Sequence, residues 1–110
     1  MDENTKQCFA AIKTKDVHEV AWLLDGGVNV NARDDTRWQR TLLHQAILFS
    51  STAAVRLLLD KNADIMMTNS YGQTPLQYAA IYFRTSIAAL LLYFVGGRLL
   101  TLLIGMATLL

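Results

Sequence analysis

An internal repeat of roughly 33 to 35 residues constrains the fold of this chain more than any other feature. Thr74 repeats Thr41 at the shorter interval, and Val55 repeats Val20 at the longer one. A two-residue insertion in the loop 33–40 accounts for the difference between the two intervals. A unit of this length cannot bury its apolar face alone, so such units stack and share one continuous core. The sequence therefore predicts a solenoid of three units.

Each unit is predicted to contain two short helices joined by a turn. In the third unit Thr74 can cap a helix through its hydroxyl, and Pro75 suits the first helical position because no N–H donor is needed there. In the first unit Asp16 is the expected N-cap of the second helix, and Gly26 and Gly27 are expected to end it. These signals predict an all-α fold with little or no extended sheet.

The repeated motifs resemble those of the ankyrin repeat family, and the resemblance covers roughly residues 6–92. The motifs that carry it include Thr74-Pro75-Leu76, Leu57-Leu58-Leu59, Gly27-Val28-Asn29 and Asn62-Ala63-Asp64. The resemblance implies an ankyrin-type helical solenoid in which short β-hairpin fingers project between helix pairs. It also implies that His44 forms hydrogen bonds with the backbone of a neighbouring loop. Two departures from the family pattern are Leu42 in place of proline and Gln77 in place of histidine.

The repeat pattern divides the chain into four segments. We predict an N-terminal ankyrin-like repeat in residues 1–35, a second repeat in 36–69 and a third in 70–96. Residues 97–110 form an apolar tail, which we interpret as a degenerate or truncated fourth repeat. In this interpretation Gly96 ends a helix and residues 97–107 form a fourth finger.

The C-terminal segment also allows a second interpretation. From Ile87 to Leu110 the only charged residue is Arg98. This stretch is long enough to span a bilayer, which takes about 20 apolar residues in a helix. A charge near its middle would cost about 2.5–3.5 kcal/mol on membrane insertion. Both interpretations leave a large apolar surface without a polar cap. They predict association with a membrane, with a partner protein or with another copy of the chain.

Composition and single residues argue against catalysis. The ten basic and nine acidic residues nearly cancel, so no electrostatic argument favours nucleic acid as a partner. Cys8 is the only cysteine, which excludes an internal disulfide, and its position predicts a buried core thiol. We predict no catalytic residue, no cofactor and no metal site. The polar N-terminus lacks the pattern of a secretory signal, and we expect a cytoplasmic, intracellular protein.

A binding surface has more support. Partners of ankyrin-like stacks usually meet the finger tips and the exposed face of the first helices, and Trp, Tyr and Arg dominate binding hot spots. Trp38 and Tyr71 occupy equivalent positions in consecutive repeats, so they should lie side by side. An alternative for Phe49 and Tyr82 is that they only pack between units. The predicted partner-binding residues are Arg37, Trp38, Arg40, Phe49, Tyr71, Gln73 and Tyr82.

The predicted function is therefore a protein–protein interaction module that binds a partner protein of unspecified identity. The alternative is a membrane-anchored protein, with the ankyrin-like repeats as its head and residues 87–110 as its anchor.

Overall fold

The computed structural model describes the backbone of residues 1–108 and the side chains of residues 1–97. Within this range the chain forms six helices, and consecutive helices pack as three pairs. The first helices of the pairs contact one another along the stack, and so do the second helices. The predicted all-α solenoid is confirmed. The helices are α1 (Glu3–Lys13), α2 (Val17–Asp25), α3 (Leu42–Leu48), α4 (Thr52–Asp60), α5 (Pro75–Ile81) and α6 (Thr85–Thr108).

The two threonines that recur in the repeat begin the first helices of the second and third units. The Thr41 hydroxyl accepts a hydrogen bond from the His44 N–H, and the His44 side chain accepts one from the Thr41 N–H. Thr74 and Gln77 make the same reciprocal pair at the start of α5, where Pro75 is the first helical residue. Each pair satisfies two N–H groups that a helix start would otherwise leave unpaired.

The turns repeat as regularly as the helices. Between the two helices of each pair stands one residue in the left-handed region, with φ of 62° at Lys15, 56° at Ser50 and 57° at Phe83. After the second helices, Gly27 and Asn62 have φ of 111° and 67°. Asn62 therefore takes the place that a helix-ending glycine holds in the first unit.

The core is a single apolar cluster that runs through all three units. Cys8 is fully buried in it, and burial raises the pKa of its thiol to about 11. The thiol therefore stays protonated at neutral pH, and the prediction of a core cysteine is confirmed. Other members of the cluster with no more than 2% exposure include Ile12, Val20, Leu43, Ile47, Val55, Leu58, Ile87 and Leu91.

The fingers contain less sheet than the resemblance implies. The first finger, residues 26–41, contains one isolated antiparallel bridge between Arg33 and Thr41, and no longer strand is present in the described part of the chain. Turns hold the second finger, residues 61–74, through bonds such as the Gly72 N–H to the Asn69 carbonyl at 3.0 Å. The fingers are therefore loops with fixed turns rather than regular β-hairpins.

The sequence-based prediction for the tail is wrong in one respect. Helix α6 passes through Gly96 and Gly97 and continues to Thr108, so Gly96 does not end it and residues 97–107 are not a finger. A glycine inside a helix costs only about 1 kcal/mol relative to alanine, and the leucine-rich surroundings favour helix. The boundaries of the four predicted segments remain predictions.

The membrane alternative concerns the same helix. Among the residues that the structure describes, no helix is both long and apolar enough to cross a membrane. The side chains of residues 98–110, which include the second half of the predicted anchor, lie outside the described range.

Candidate partner-binding surface

A cavity of about 370 Å³ opens beside the tips of the two fingers. We call it the finger cavity. The structure brings five of the seven predicted binding residues to its walls and adds three others. Its lining consists of Trp38, Arg40, Leu48, Asn69, Tyr71, Gln73, Tyr78 and Tyr82.

The two fingers contact each other directly at the rim of this cavity. The Ser70 N–H donates to the Trp38 carbonyl at 2.9 Å, and the Ser70 hydroxyl donates to the Arg37 carbonyl at 2.6 Å. These bonds fix the tip of the second finger on the first. Trp38 and Tyr71 therefore line the same cavity, as their equivalent positions in the repeat predicted.

Trp38 is held by two arginines. The guanidinium carbons of Arg37 and Arg40 lie 4.9 Å and 5.2 Å from its ring centroid, within the range of cation–π contacts. Arg40 is itself held by Gln45, whose Oε1 accepts from Nη1 at 3.5 Å, and by Asp34 at 3.7 Å. The Trp38 side chain is 37% exposed, so much of it is already packed before any partner arrives.

Asn69 organises the second finger. Its Oδ1 accepts hydrogen bonds from the N–H groups of Tyr71 and Gln73, each at 3.0 Å, and its Nδ2 donates to the Gln73 Oε1 at 2.8 Å. This arrangement is a side-chain-stabilised turn of the kind that asparagine favours. It presents Tyr71 on a fixed backbone with 63% of its side chain exposed.

An aromatic row forms the side of the cavity nearest the helices. Tyr78 is only 6% exposed, and its ring meets the His44 ring edge-on at 5.1 Å and the Tyr82 ring at 4.8 Å. Burial raises the pKa of the Tyr78 hydroxyl to about 12, and Tyr82 adds to the shift. The phenol is therefore neutral at physiological pH and keeps its hydrogen-bond donor.

His44 connects the central unit to the second finger. Its Nε2 lies 2.9 Å from the Gln73 carbonyl oxygen, which can only accept, so Nε2 carries the proton. Its Nδ1 lies 2.7 Å from the Thr41 hydroxyl oxygen and serves as the acceptor. Burial lowers the pKa of His44, which keeps the ring neutral in this role. The expected bond from His44 to a neighbouring loop is confirmed.

The remaining predicted residues lie apart from the lining. Arg37 stands behind Trp38, and Phe49 ends α3 without reaching the finger cavity. Phe49 is half-buried, and the Lys13 ammonium of the first unit lies 6.0 Å from its ring centroid. This contact favours the alternative in which Phe49 packs between units. Tyr82, by contrast, lines the cavity and is 40% exposed.

Sequence reasoning missed Asn69 and Tyr78. Tyr78 and Tyr82 stand one helical turn apart in sequence, a spacing that places both side chains on the same face and was a usable signal. Asn69 comes shortly before Gly72 in a loop, a pattern that indicates a turn. Among the side chains that the structure describes, no group of three or more His, Cys, Asp or Glu residues is placed to hold a metal ion.

Comparison with known sequences agrees with this architecture. The family model described as ankyrin repeats (3 copies) matches residues 8–98. The chain belongs to the ankyrin repeat family. Members of this family are protein–protein interaction modules, and the three matched copies agree with the three helix pairs of the structure.

Several proteins share this ankyrin sequence over part of their length. The chain is 38% identical to the palmitoyltransferase ZDHHC17 of Danio rerio over 75 residues, which are 68% of this chain and 12% of that protein. It is 38% identical to the 2-5A-dependent ribonuclease of Homo sapiens over 80 residues, which are 72% of this chain and 10% of that protein. A putative ankyrin repeat protein of Acanthamoeba polyphaga mimivirus is 37% identical over 73 residues, which are 64% of this chain and 45% of that protein. The matched region is thus about a tenth of each of the two enzymes.

Proposed function

We propose that this ankyrin domain binds a partner protein at the finger cavity. The observation that carries the proposal is the convergence of Trp38, Arg40, Tyr71, Gln73 and Tyr82 on one concave surface. These residues come from both fingers and from the end of α5, so only the stacked fold brings them together. Tyr, Trp and Arg in a concave site are typical of the residues that dominate protein binding energies.

The walls of the cavity are already fixed in the unbound chain. Two guanidinium groups hold the Trp38 ring, and the Asn69 side chain fixes the turn that carries Tyr71. Ordering a flexible side chain on binding costs about 0.5–1.5 kcal/mol, so fixed walls favour affinity. The rigid aromatic residues act as anchors, whereas the amide of Gln73 supplies a polar contact.

The lining also defines the chemistry of a suitable partner segment. The aromatic rings of Trp38, Tyr71 and Tyr82 fit a large apolar or aromatic side chain. The guanidinium of Arg40 at the same wall fits a carboxylate or a backbone carbonyl, because it offers several N–H donors in one plane. A peptide loop or helix that presents both groups is the partner feature that we propose.

Binding rather than catalysis is the role that we propose for this region. Two relatives are named as enzymes, but the part that matches this chain is about a tenth of each. Tyr78 in the lining packs in the aromatic row, and His44, whose ring contacts Tyr78, bridges two units.

The test uses a partner captured with the intact chain and a variant that removes one anchor. Tyr71→Ala is expected to weaken binding by at least about 2 kcal/mol, which corresponds to roughly 30-fold in Kd. Titration calorimetry measures this loss. Tyr71 is a cleaner choice than Trp38 because Trp38 also packs against two arginines in the folded chain.

A matched control lies in the same finger. Met66 is 63% exposed, as Tyr71 is, but it does not line the finger cavity. Met66→Ala is expected to leave both the Kd and the melting temperature unchanged. If Tyr71→Ala binds as tightly as the parent chain, or if Met66→Ala causes the same loss, the finger cavity is not the binding site.

A further inference from the structure

Arg40 carries the one charge in the described lining of the finger cavity. The other lining residues are tryptophan, tyrosine, leucine, asparagine and glutamine, which are uncharged at neutral pH. They come from the second and third units, so the stack itself forms both sides of the cavity. The cavity therefore presents a single positive charge among aromatic and amide side chains.

The guanidinium of Arg40 has hydrogen-bond donors that the folded chain does not use. It offers several N–H groups and stays protonated in proteins. Its Nη1 donates to the Gln45 Oε1 at 3.5 Å, which is a long bond. Its Nε is buried and has no hydrogen-bond partner within the part of the chain that the structure describes. A buried donor without an acceptor is costly, above all on a charged group, so this guanidinium favours an added acceptor.

Asp34 pairs with Arg40 but does not satisfy these donors. Its Oδ2 lies 3.7 Å from the Arg40 Nε, which is too far for a hydrogen bond. Its Oδ1 accepts from the N–H and the hydroxyl of Thr36 and from the backbone N–H of Arg40, at 3.3, 2.7 and 3.1 Å. These bonds hold Asp34 within the first finger, and it is not part of the cavity lining. The Arg40 side chain can therefore accept a second carboxylate from the cavity.

The second finger offers no free backbone donors for a chain terminus. Proteins capture terminal carboxylates with clusters of backbone N–H groups. Here the N–H groups of residues 70–73 donate to the Trp38 carbonyl or to oxygen atoms of Asn69. The acceptor that suits Arg40 is therefore the carboxylate of an aspartate or glutamate side chain.

We propose that the partner segment bound in the finger cavity contains an aspartate or glutamate whose carboxylate binds Arg40, next to a large apolar or aromatic residue. This inference rests on the function proposed above and narrows its partner to an acidic segment. A carboxylate can take two N–H groups of one guanidinium, and such charge-assisted bonds are roughly twice as strong as neutral ones. A lysine or arginine of the partner at the same place would meet like charge, which disfavours basic segments.

The test selects linear peptides from a random-sequence library displayed on phage, with the intact chain as the bait. The selected peptides are expected to contain an aspartate or glutamate close to a large apolar or aromatic residue. Replacing that acid by its amide in a synthetic peptide is expected to raise the Kd by at least about tenfold. Fluorescence anisotropy measures the Kd of both peptides.

Arg40→Gln tests whether this preference for the acid comes from Arg40. The variant keeps the two backbone bonds between Arg40 and Asp34, at 3.1 and 2.8 Å. The ratio of the amide Kd to the acid Kd should fall from at least about ten in the parent to about one in the variant. A purely structural role of Arg40 would weaken both peptides equally and leave this ratio unchanged.

The matched control is Arg56→Gln, which removes the same charge from a different surface. Arg56 is exposed on α4, and no residue of α4 lines the finger cavity. Arg56→Gln should therefore leave the ratio as in the parent. If it lowers the ratio as much as Arg40→Gln does, the effect is one of net charge and the inference is overturned.

The remaining outcomes separate this inference from the proposed function. Peptides that lose binding with Tyr71→Ala but contain no acid, or bind equally as acid and amide, overturn the inference and leave the finger cavity as the proposed site. Peptides that bind Tyr71→Ala as tightly as the parent overturn both. A library that yields no binder also overturns the inference. If Arg40→Gln does not fold, the comparison of acid and amide on the parent chain decides.

Discussion

The central helix pair has a neighbour on each side, whereas the final pair has a neighbour on only one side. Six of the seven residues of α3 are buried, but only three of the seven residues of α5 are. The two helices occupy equivalent places in the repeat and begin with the same cap. Burial in this chain is therefore set by the position of a unit in the stack as much as by residue type.

The same comparison explains why Gln77 replaces the histidine found in the central unit. His44 uses one ring nitrogen for the cap at Thr41 and the other for the Gln73 carbonyl of the following finger. Gln77 keeps only the first role and accepts from the Thr74 N–H at 2.9 Å. The position one repeat after Gln73 lies inside α6, so in the described part of the chain a helix stands where the central unit meets a finger.

The largest expected effect comes from the two equivalent leucines. Leu59→Ala should cost about 2–5 kcal/mol of unfolding free energy, because it removes a side chain that is 4% exposed. Leu92→Ala should cost less than about 1 kcal/mol, because more than half of this side chain is already in water. Urea unfolding at low protein concentration measures both values. Equal losses would show that the final unit is covered in solution.

The second prediction concerns the histidine that joins the units. His44→Gln keeps the cap, as Gln77 does in α5, but it removes the bond to the Gln73 carbonyl. The expected cost is about 0.5–1.5 kcal/mol, the net value of one hydrogen bond, since the Gln73 carbonyl still accepts from the Asn69 N–H at 3.1 Å. Gln77→His, the reverse change in the final unit, should alter stability little. A similar response of both units to their substitutions would contradict this role of His44.

The same histidine should make stability depend on pH. Burial lowers the pKa of His44 below its ordinary value of about 6.5, so the unfolded chain takes up this proton more readily than the folded chain. The contribution of neutral His44 to the free energy of unfolding is fully present above pH 6.5 and is lost as the pH falls below that value. As the pH is lowered from about 7.5 to about 5, the urea concentration at the unfolding midpoint should decrease for the parent chain. It should decrease less for His44→Gln. Identical pH profiles would show that His44 is not the responsible group.

Local chemistry explains what the sequence allowed us to predict. The caps at Asp16 and Thr74 and the helix end at Gly27 depend on residues close in the chain, so their patterns were sufficient. The position of Phe49 against Lys13 depends on how two units meet, and no local pattern indicated it. The prediction of a helix end at Gly96 was wrong because glycine permits a helix to end but does not require it.

The smallest expected effect tests the turn that links the helices of each pair. Phe83 has φ of 57° and is 86% exposed, so its ring gains little packing in return for a conformation that L residues disfavour. Phe83→Gly should therefore raise the unfolding free energy by about 0.5–1 kcal/mol. The substitution removes the cost of the left-handed conformation, but part of this gain is lost because glycine increases the entropy of the unfolded chain. The equivalent change in the central unit, Ser50→Gly, starts from φ of 56° and should give a similar gain. Urea unfolding at low protein concentration compares the two. A loss for Phe83→Gly with a gain for Ser50→Gly would show that the exposed ring packs against something in the folded chain.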